Sequence, residues 1–329
     1  MKNTAPIPVL IILGPTASGK SALALELARR LKGEIISADS MQVYRGMDIG
    51  TAKPGKRERR NIAHHLVDIL EPSRRFSVFD YHRKALQAIC KVQKSGKLPI
   101  LAGGTGLYVR ALLEGLEASP PPDLKERLKL EKWAACSGVQ ALYEKLQRQD
   151  PVRARQLERT DLKRIIRALE IAVWTKKQTR VKKSANLPSL ESLGYAPVVL
   201  GIEVERPRLY ARINARVRGM LRRGWLAECL KLSQGRISAT AAQAIGYKRL
   251  FGLIAERGTN AGVLKKCLQD VLPLIQQDTR RYAKRQITWF RREKNIQWIA
   301  WPEGETARTF SDRVLRHPGL SILFDRPRI

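Results

Sequence analysis

Val9-Leu-Ile-Ile-Leu-Gly-Pro-Thr-Ala-Ser-Gly-Lys-Ser21 opens on five consecutive apolar residues and closes on a glycine-rich loop. A continuous apolar run of that length suits a strand covered on both faces. Directly after it, Leu23, Leu27 and Leu31 fall at helical spacing. Strand, glycine loop and helix make the opening βα unit of a parallel sheet. Gly14–Ser21 fits G-x-x-x-x-G-K-[ST] in full, and in that required context. In such a loop the backbone N–H groups cradle phosphate oxygens at a helix N-terminus. Gly14, Pro15, Thr16, Ala17, Ser18, Gly19, Lys20 and Ser21 are therefore expected to hold a polyphosphate. Lys20 supplies a point charge, and the Ser21 hydroxyl suits Mg²⁺, the expected cofactor. The loop specifies the phosphates and not their organic substituent.

Working outward, strands are expected at Glu34–Ser37, Leu66–Ile69 and Lys97–Ala102, with a helix over Phe79–Lys94. The alternation predicts an α/β protein with a P-loop NTPase-like parallel sheet core. Asp39 and Ser40 follow the second strand at its carboxyl end, where open α/β sheets gather their sites. A carboxylate there serves as a general base, as a metal ligand through water, or simply as a turn cap. The strand at Lys97–Ala102 ends in Gly103-Gly-Thr-Gly106 and carries no Walker-B aspartate, which weakens an ATPase reading. Thr105 either presents its hydroxyl to a phosphate or belongs to a tight turn.

After Pro120-Pro-Pro122 the texture turns to charged, helix-prone sequence. From Asp123 to Lys183 there are 17 basic and 8 acidic residues, a net +9. A strand resumes at Val198–Val204, and helices are expected from Leu209 to Glu293. The expected organisation is a core segment at 1–122, a helical insertion at 123–185, and a return to core and C-terminal helices at 186–300. An irregular tail at 301–329, holding Pro302, Pro318 and Pro327, completes it.

The whole chain carries 62 Lys+Arg against 30 Asp+Glu, a formal +32 over 329 residues. An excess of that size points to a polyanionic partner, with nucleic acid the first candidate. No apolar run approaches the roughly 18 residues of a bilayer span, so no membrane partner is expected. Thirteen residues ahead of the glycine loop leave no room for a transit peptide. Cys90, Cys136, Cys229 and Cys267 are scattered without a C-x-x-C pair, so neither disulfides nor zinc are expected. The expectation is a cytoplasmic monomer with reduced thiols. Near the C-terminus, Arg280–Arg292 is helix-compatible, with Arg281, Arg285, Thr288 and Arg292 on one stripe. That stripe either tracks RNA phosphates, with Tyr282, Trp289 and Phe290 available for stacking, or forms a solvated face over aromatic core residues.

Taken together, these blocks resemble the tRNA dimethylallyltransferase (tRNA isopentenyltransferase) family. The resemblance is carried by Gly14–Ser21, Ser37-Ala-Asp-Ser40, Tyr44–Pro54, Gly103–Tyr108, Lys163–Glu170, Ala244-Ile-Gly-Tyr247 and Lys284–Arg291, in the family's order. It implies transfer of a dimethylallyl group from dimethylallyl diphosphate to N6 of the adenine 3′ to the anticodon, in tRNAs reading U-initial codons. It further implies that Arg216 meets the diphosphate, that Asp39 is the general base on the adenine amine, and that Thr105 steadies the transition state. For tRNA it implies contacts from Asp39, Ser40, Met41 and Gln42, from Thr105, and from Arg127. The other implied contacts are Leu162, Lys163, Arg164, Ile165 and Ile166, then Gln243, Ala244, Ile245, Gly246, Tyr247 and Lys248. The last block is Lys284, Arg285, Gln286, Ile287, Thr288, Trp289, Phe290 and Arg291. Lys163 departs from the family glutamine, and the tail lacks the zinc-finger pattern of eukaryotic members, so the bacterial form fits. Two other readings compete: a P-loop small-molecule kinase, for which ATP would occupy the loop, and a non-catalytic RNA-binding module.

Overall fold

The computed structural model describes residues 6–117, 120, 123–177 and 186–323. They form two compact units, one of Leu116–Leu187 and one of the chain on either side of it. The larger unit begins with β1 (Ile7–Leu13), α1 (Lys20–Arg30), β2 (Gly33–Ala38), α2 (Lys56–Asn61) and β3 (His64–His65). It continues through α3 (Val78–Lys94), β4 (Leu98–Gly103) and α4 (Gly106–Glu114). The smaller unit holds α5 (Leu124–Gln149), α6 (Pro151–Arg155) and α7 (Leu162–Lys177). Gly138 breaks α5 with φ 81° and ψ 161°. A core of Leu130, Leu142, Tyr143, Leu146, Ile165, Ile166 and Leu169 closes this unit.

The chain returns as β5 (Tyr195–Glu203), α8 (Arg206–Arg222), α9 (Trp225–Ser233), α10 (Ala239–Ala242) and α11 (Tyr247–Arg257). The 30-residue α12 (Ala261–Phe290), β6 (Gln297–Ala300) and α13 (Ala307–Leu315) complete it. The six strands are parallel in the order β3-β2-β4-β1-β5-β6. β1 lies at the centre, with Leu10 opposite Ile100 on one side and Val198 on the other. Val9 through Leu13 are wholly buried, as a strand covered on both faces must be.

Three expectations need correction. The strand expected at Leu66–Ile69 is absent; pairing stops at His65. Leu66 and Asp68 take φ of 62° and 57°, which no extended strand allows. The segment curls because the Asp68 carboxylate receives Lys53 at 2.6 Å and Arg59 at 2.5 Å, closing the loop after β2. The tail expected to be irregular contains α13. Thr306 caps it by accepting from Thr309 N, and Phe310 and Val314, one turn apart, are both fully buried. Pro302 and Pro318 flank that helix and do not interrupt it, and Pro327 lies outside the described residues. Finally, α12 ends at Phe290, so Arg292 falls past the helix and off the stripe of Arg281, Arg285 and Thr288.

Candidate active site

The carboxyl ends of β1, β2 and β4 deliver the loop after Leu13, Asp39 and the glycines from Gly103 to one edge of the sheet. β1 sits between β4 and β5, where the chain's crossovers part, and open α/β sheets place their ligand crevice there. The loop itself turns twice through left-handed conformations, at Ala17 (φ 64°) and Gly19 (φ 98°). Ser18 N and Lys20 Nζ both donate to Pro15 O at 3.2 Å, drawing the loop tight.

Gln286 of α12 joins this loop to the next. Its Oε1 accepts from Thr16 N at 2.8 Å and its Nε2 donates to Gly104 O at 2.8 Å. A Cβ on Gly104 would stand 2.2 Å from that Nε2, so only glycine fits there. Gln286 is 5% exposed, and its side chain is turned inward, away from the solvent face that its neighbours Lys284, Arg285 and Thr288 form.

A cavity of about 350 Å³ opens between these loops and the helices α8, α9, α11 and α12. Thr16, Lys20, Ser21, Asp39, Ser40, Met41, Gln42, Arg216, Gln243, Ala244, Ile245, Tyr247, Arg285 and Gln286 line it. Gly246 and Lys248 do not. Ile213, Val217 and Met220 of α8 add an apolar stripe, with Trp225 beside it. The cavity thus has a cationic, polar end and an apolar wall.

The two cations are unpaired. Neither Lys20 nor Arg216 forms an ion pair with any described residue. Burial, and then the charge of Arg216, lower the Lys20 pKa to about 8, while Asp39 acts in the opposite direction. Burial also lowers the pKa of Arg216, again opposed by Asp39. Two cations lowered in pKa by burial, at the N-terminus of α1, favour an anion at this end of the cavity.

Asp39 does two things at once. Its Oδ1 accepts from Met41 N at 2.8 Å and Gln42 N at 3.2 Å, the capping bonds, and the residue also lines the cavity. Thr105 is not in the cavity wall; its Oγ1 accepts from Ser40 N at 3.1 Å and so braces the Asp39 loop. The Tyr282 phenol interacts with both Asp39 and Thr105. Burial first, and then Asp39, push its pKa well above the usual range, so it stays protonated.

Of the last block, Phe290 is buried, Ile287 and Trp289 are half-buried, and Lys284, Arg285, Thr288 and Arg291 are exposed. Arg110 lies over the Trp289 ring at 4.5 Å. In the smaller unit, Lys163 and Arg164 are exposed, Leu162 is half-buried, and Ile165 and Ile166 are core. Arg127 makes a two-point pair with the buried Glu170, Nε to Oε1 at 3.0 Å and Nη2 to Oε2 at 2.8 Å.

Several residues that build the site carry no local sequence signal. Glu228 accepts from Asp48 N at 2.9 Å, Ile49 N at 2.8 Å and Gly50 N at 3.4 Å, and from the Tyr247 hydroxyl. It therefore fastens the loop after Asp39 to the block around Tyr247. Its amide partners lie 178 to 180 residues away, so no window of sequence could reveal it. Trp225 and the α8 stripe read in sequence only as helix core.

Fold and site together define an α/β protein of the P-loop class whose cavity sets two cations against an apolar wall. The family described as IPP transferase matches residues 42–293, and the chain belongs to that family. A tRNA dimethylallyltransferase of Geobacter metallireducens is 44% identical over 304 residues, 92% of this chain and 95% of that protein. Another, from Carboxydothermus hydrogenoformans, is 40% identical over 315 residues, 95% of this chain and 98% of the relative. The crystal structure of the full-length tRNA isopentenylpyrophosphate transferase from Bacillus halodurans superposes with a TM-score of 0.66 at 37% identity, over 96% of this chain and 98% of that one. A eukaryotic dimethylallyltransferase, solved acting on tRNA, shares the fold at a TM-score of 0.72 and 24% identity, over 98% of this chain and 80% of its own.

Proposed function

We propose that this protein transfers a dimethylallyl group from dimethylallyl diphosphate to N6 of the adenine 3′ to the anticodon in tRNAs reading U-initial codons. The observation that carries the reading is the pairing of bare Lys20 and Arg216 with an apolar wall in one cavity. A diphosphate with a five-carbon tail matches that division. In the reaction the bond from C1 to the diphosphate oxygen breaks and the bond from N6 to C1 forms. The amine proton leaves to Asp39, and the electron pair of the broken bond stays on diphosphate. Charge therefore builds on the leaving group, where Lys20, Arg216 and the loop amides stabilise it.

An exocyclic amine conjugated with its ring is a weak nucleophile. A carboxylate that accepts its proton, held in place by the Met41 and Gln42 amides, raises its reactivity. Thr105 acts through Ser40, keeping the Asp39 loop in register. The adenine must leave its stack to reach the cavity. Arg285, at the cavity wall, and the exposed Lys284 and Arg291 supply charge toward tRNA phosphates.

Ser21 offers a hydroxyl beside Lys20, a hard oxygen donor suited to Mg²⁺. No cluster of three His, Cys, Asp or Glu that could hold an ion exists among the described residues, so diphosphate oxygens and water would complete its shell. When bound, the ion adds charge neutralisation on the leaving group. No helix among the described residues is long and apolar enough to cross a membrane. The protein is proposed to act on tRNA in the cytoplasm, as a monomer.

The test is incubation with bulk tRNA and dimethylallyl diphosphate labelled in the prenyl group. Label should enter tRNA as N6-isopentenyladenosine, with release of diphosphate. Phosphorylation of a small molecule by ATP, without label in tRNA, would overturn the reading in favour of a kinase.

A further inference from the structure

Trp301 lies past the residues that the family model matches, immediately after β6. Its ring covers Gly19 so closely that a Cβ there would come within 2.4 Å of Cζ3. Gly19 is the left-handed residue directly before Lys20. The indole is held from every side and is only 6% exposed. Phe310 of α13 stacks on it, with centroids 4.3 Å apart and planes at 18°. The indole N–H donates to Glu305 O at 2.9 Å, and Trp301 N donates to Glu203 O at 2.9 Å.

Helix α8 adds a second set of contacts. Arg208 Nη1 donates to Trp301 O at 2.6 Å. Arg212 places its guanidinium 5.8 Å from the ring centroid and its Nη1 3.5 Å from Ser18 O. Arg208, Arg212 and Arg216 are spaced by four, so they share one face of α8. The helix that brings Arg216 into the cavity thus reaches Trp301 and the back of the phosphate loop one and two turns earlier.

We propose that Trp301 is a positioning residue for the diphosphate site. It fixes the backbone at Gly19, and with it Lys20 and the first amides of α1, at the place that Arg216 requires. The inference rests on the reading that the cavity takes the diphosphate of the prenyl donor. A glycine with positive φ is the freest point of such a loop, and a rigid ring pressed on it removes that freedom before the ligand arrives. Binding then loses less entropy, which is the meaning of preorganisation for an anion cradle.

The experiment compares Trp301→Leu, Trp301→Phe and the unaltered full chain, with inorganic diphosphate and Mg²⁺ as the probe in calorimetry and no tRNA present. Trp301→Leu is expected to weaken diphosphate binding about tenfold or more, the scale on which small displacements of a binding group act. Trp301→Phe keeps a ring on Gly19 and against Phe310, and should stay within about threefold, a loss of preorganisation smaller than that of the open leucine site. Affinity for tRNA should not change, and the turnover defect of Trp301→Leu should appear in KM for the prenyl donor more than in kcat. If Trp301→Leu does not fold, Trp301→Met, which also removes the ring, takes its place. A lowered melting temperature with unchanged diphosphate affinity would show a merely structural tryptophan and overturn the proposal. Failure of the prenyl-transfer reading looks different: the unaltered protein would bind diphosphate, the Trp301 series would still order as described, and no label would enter tRNA.

Discussion

Lys20 and Arg216 carry their charge into a cavity, whereas Lys284 and Arg291 carry theirs at the surface around the end of α12. Both groups contribute to the same formal +32. The inward pair has lost water and has gained no carboxylate in an ion pair, so each cation's pKa is lowered by burial. The outward group stays hydrated, and Arg291 lies 3.5 Å from Glu203 in an exposed pair. The difference teaches that charge count and charge function are separate. A desolvated cation binds one anion strongly at one place, while exposed cations act together, weakly and through salt.

Lys20→Ala tests the inward pair most directly. Prenyl transfer should fall by about 10³-fold, the scale for removing a preorganised group from a developing charge, while tRNA affinity holds. Steady-state kinetics and filter binding check the two halves, and a parallel loss of both would put Lys20 among the tRNA contacts. Asp39→Asn comes next, with a loss of about 10²-fold in turnover, the usual scale for a general base. Its fold should persist, because the amide oxygen can still accept from Met41 N and Gln42 N. Turnover near normal at saturating substrates would leave Asp39 with the capping role alone.

A smaller effect separates the two cation groups by pH. Lys20 in the free protein titrates at about 8, below its ordinary 10.5, and diphosphate needs it charged. Diphosphate affinity should therefore fall as pH rises above about 8, approaching tenfold per unit, since one proton must be taken up on binding. Between about 8 and 10.5 the unfolded chain keeps a proton that folded Lys20 has released, so this group makes stability rise with pH across that window. Bound diphosphate should abolish that rise. Calorimetry across the range reads the first effect and thermal melts read the second; a flat affinity would mean that Lys20 is not the responding group.

The smallest expected change is for Arg285→Gln. Replacing one exposed phosphate contact should flatten the log–log salt dependence of tRNA affinity by about one unit. Salt titrations of both proteins check this, and an unchanged slope would place the tRNA phosphates elsewhere than α12.

The parts of the site legible in sequence are those that are contiguous. Gly14–Ser21 announces itself because strand, loop and helix are joined by local bonds, and the phosphate cradle is made of that loop's own backbone. Asp39 and Gly103–Thr105 were legible as strand ends. What reached across the chain was not. Gln286 meets Thr16 from 270 residues away, and Glu228 gathers amides from 178 to 180 residues away. The basic stretch reads in sequence as a helix with a solvated face over aromatic core as one of two alternatives, and Phe290 is buried as that alternative has it, whereas the inward turn of Gln286 has no sequence signal. The tail was read from its prolines, and its Thr306 cap and buried Phe310 were overlooked.

By itself, then, the sequence determined the central strand, the phosphate loop and its lysine, the alternation that makes a parallel sheet, and a polyanionic partner. Those follow from nearest-neighbour backbone geometry, hydrophobic period and net charge, which are properties of short windows or of the whole sum. Only the tertiary structure decided which of the 62 basic residues are bare and which are hydrated, which glycines lie under a ring or an amide, and that a tryptophan near the end of the chain presses on a loop near its start. Desolvation and close packing depend on what arrives from elsewhere in the chain, and that is set by how the sheet and its helices assemble rather than by any residue's neighbours in sequence.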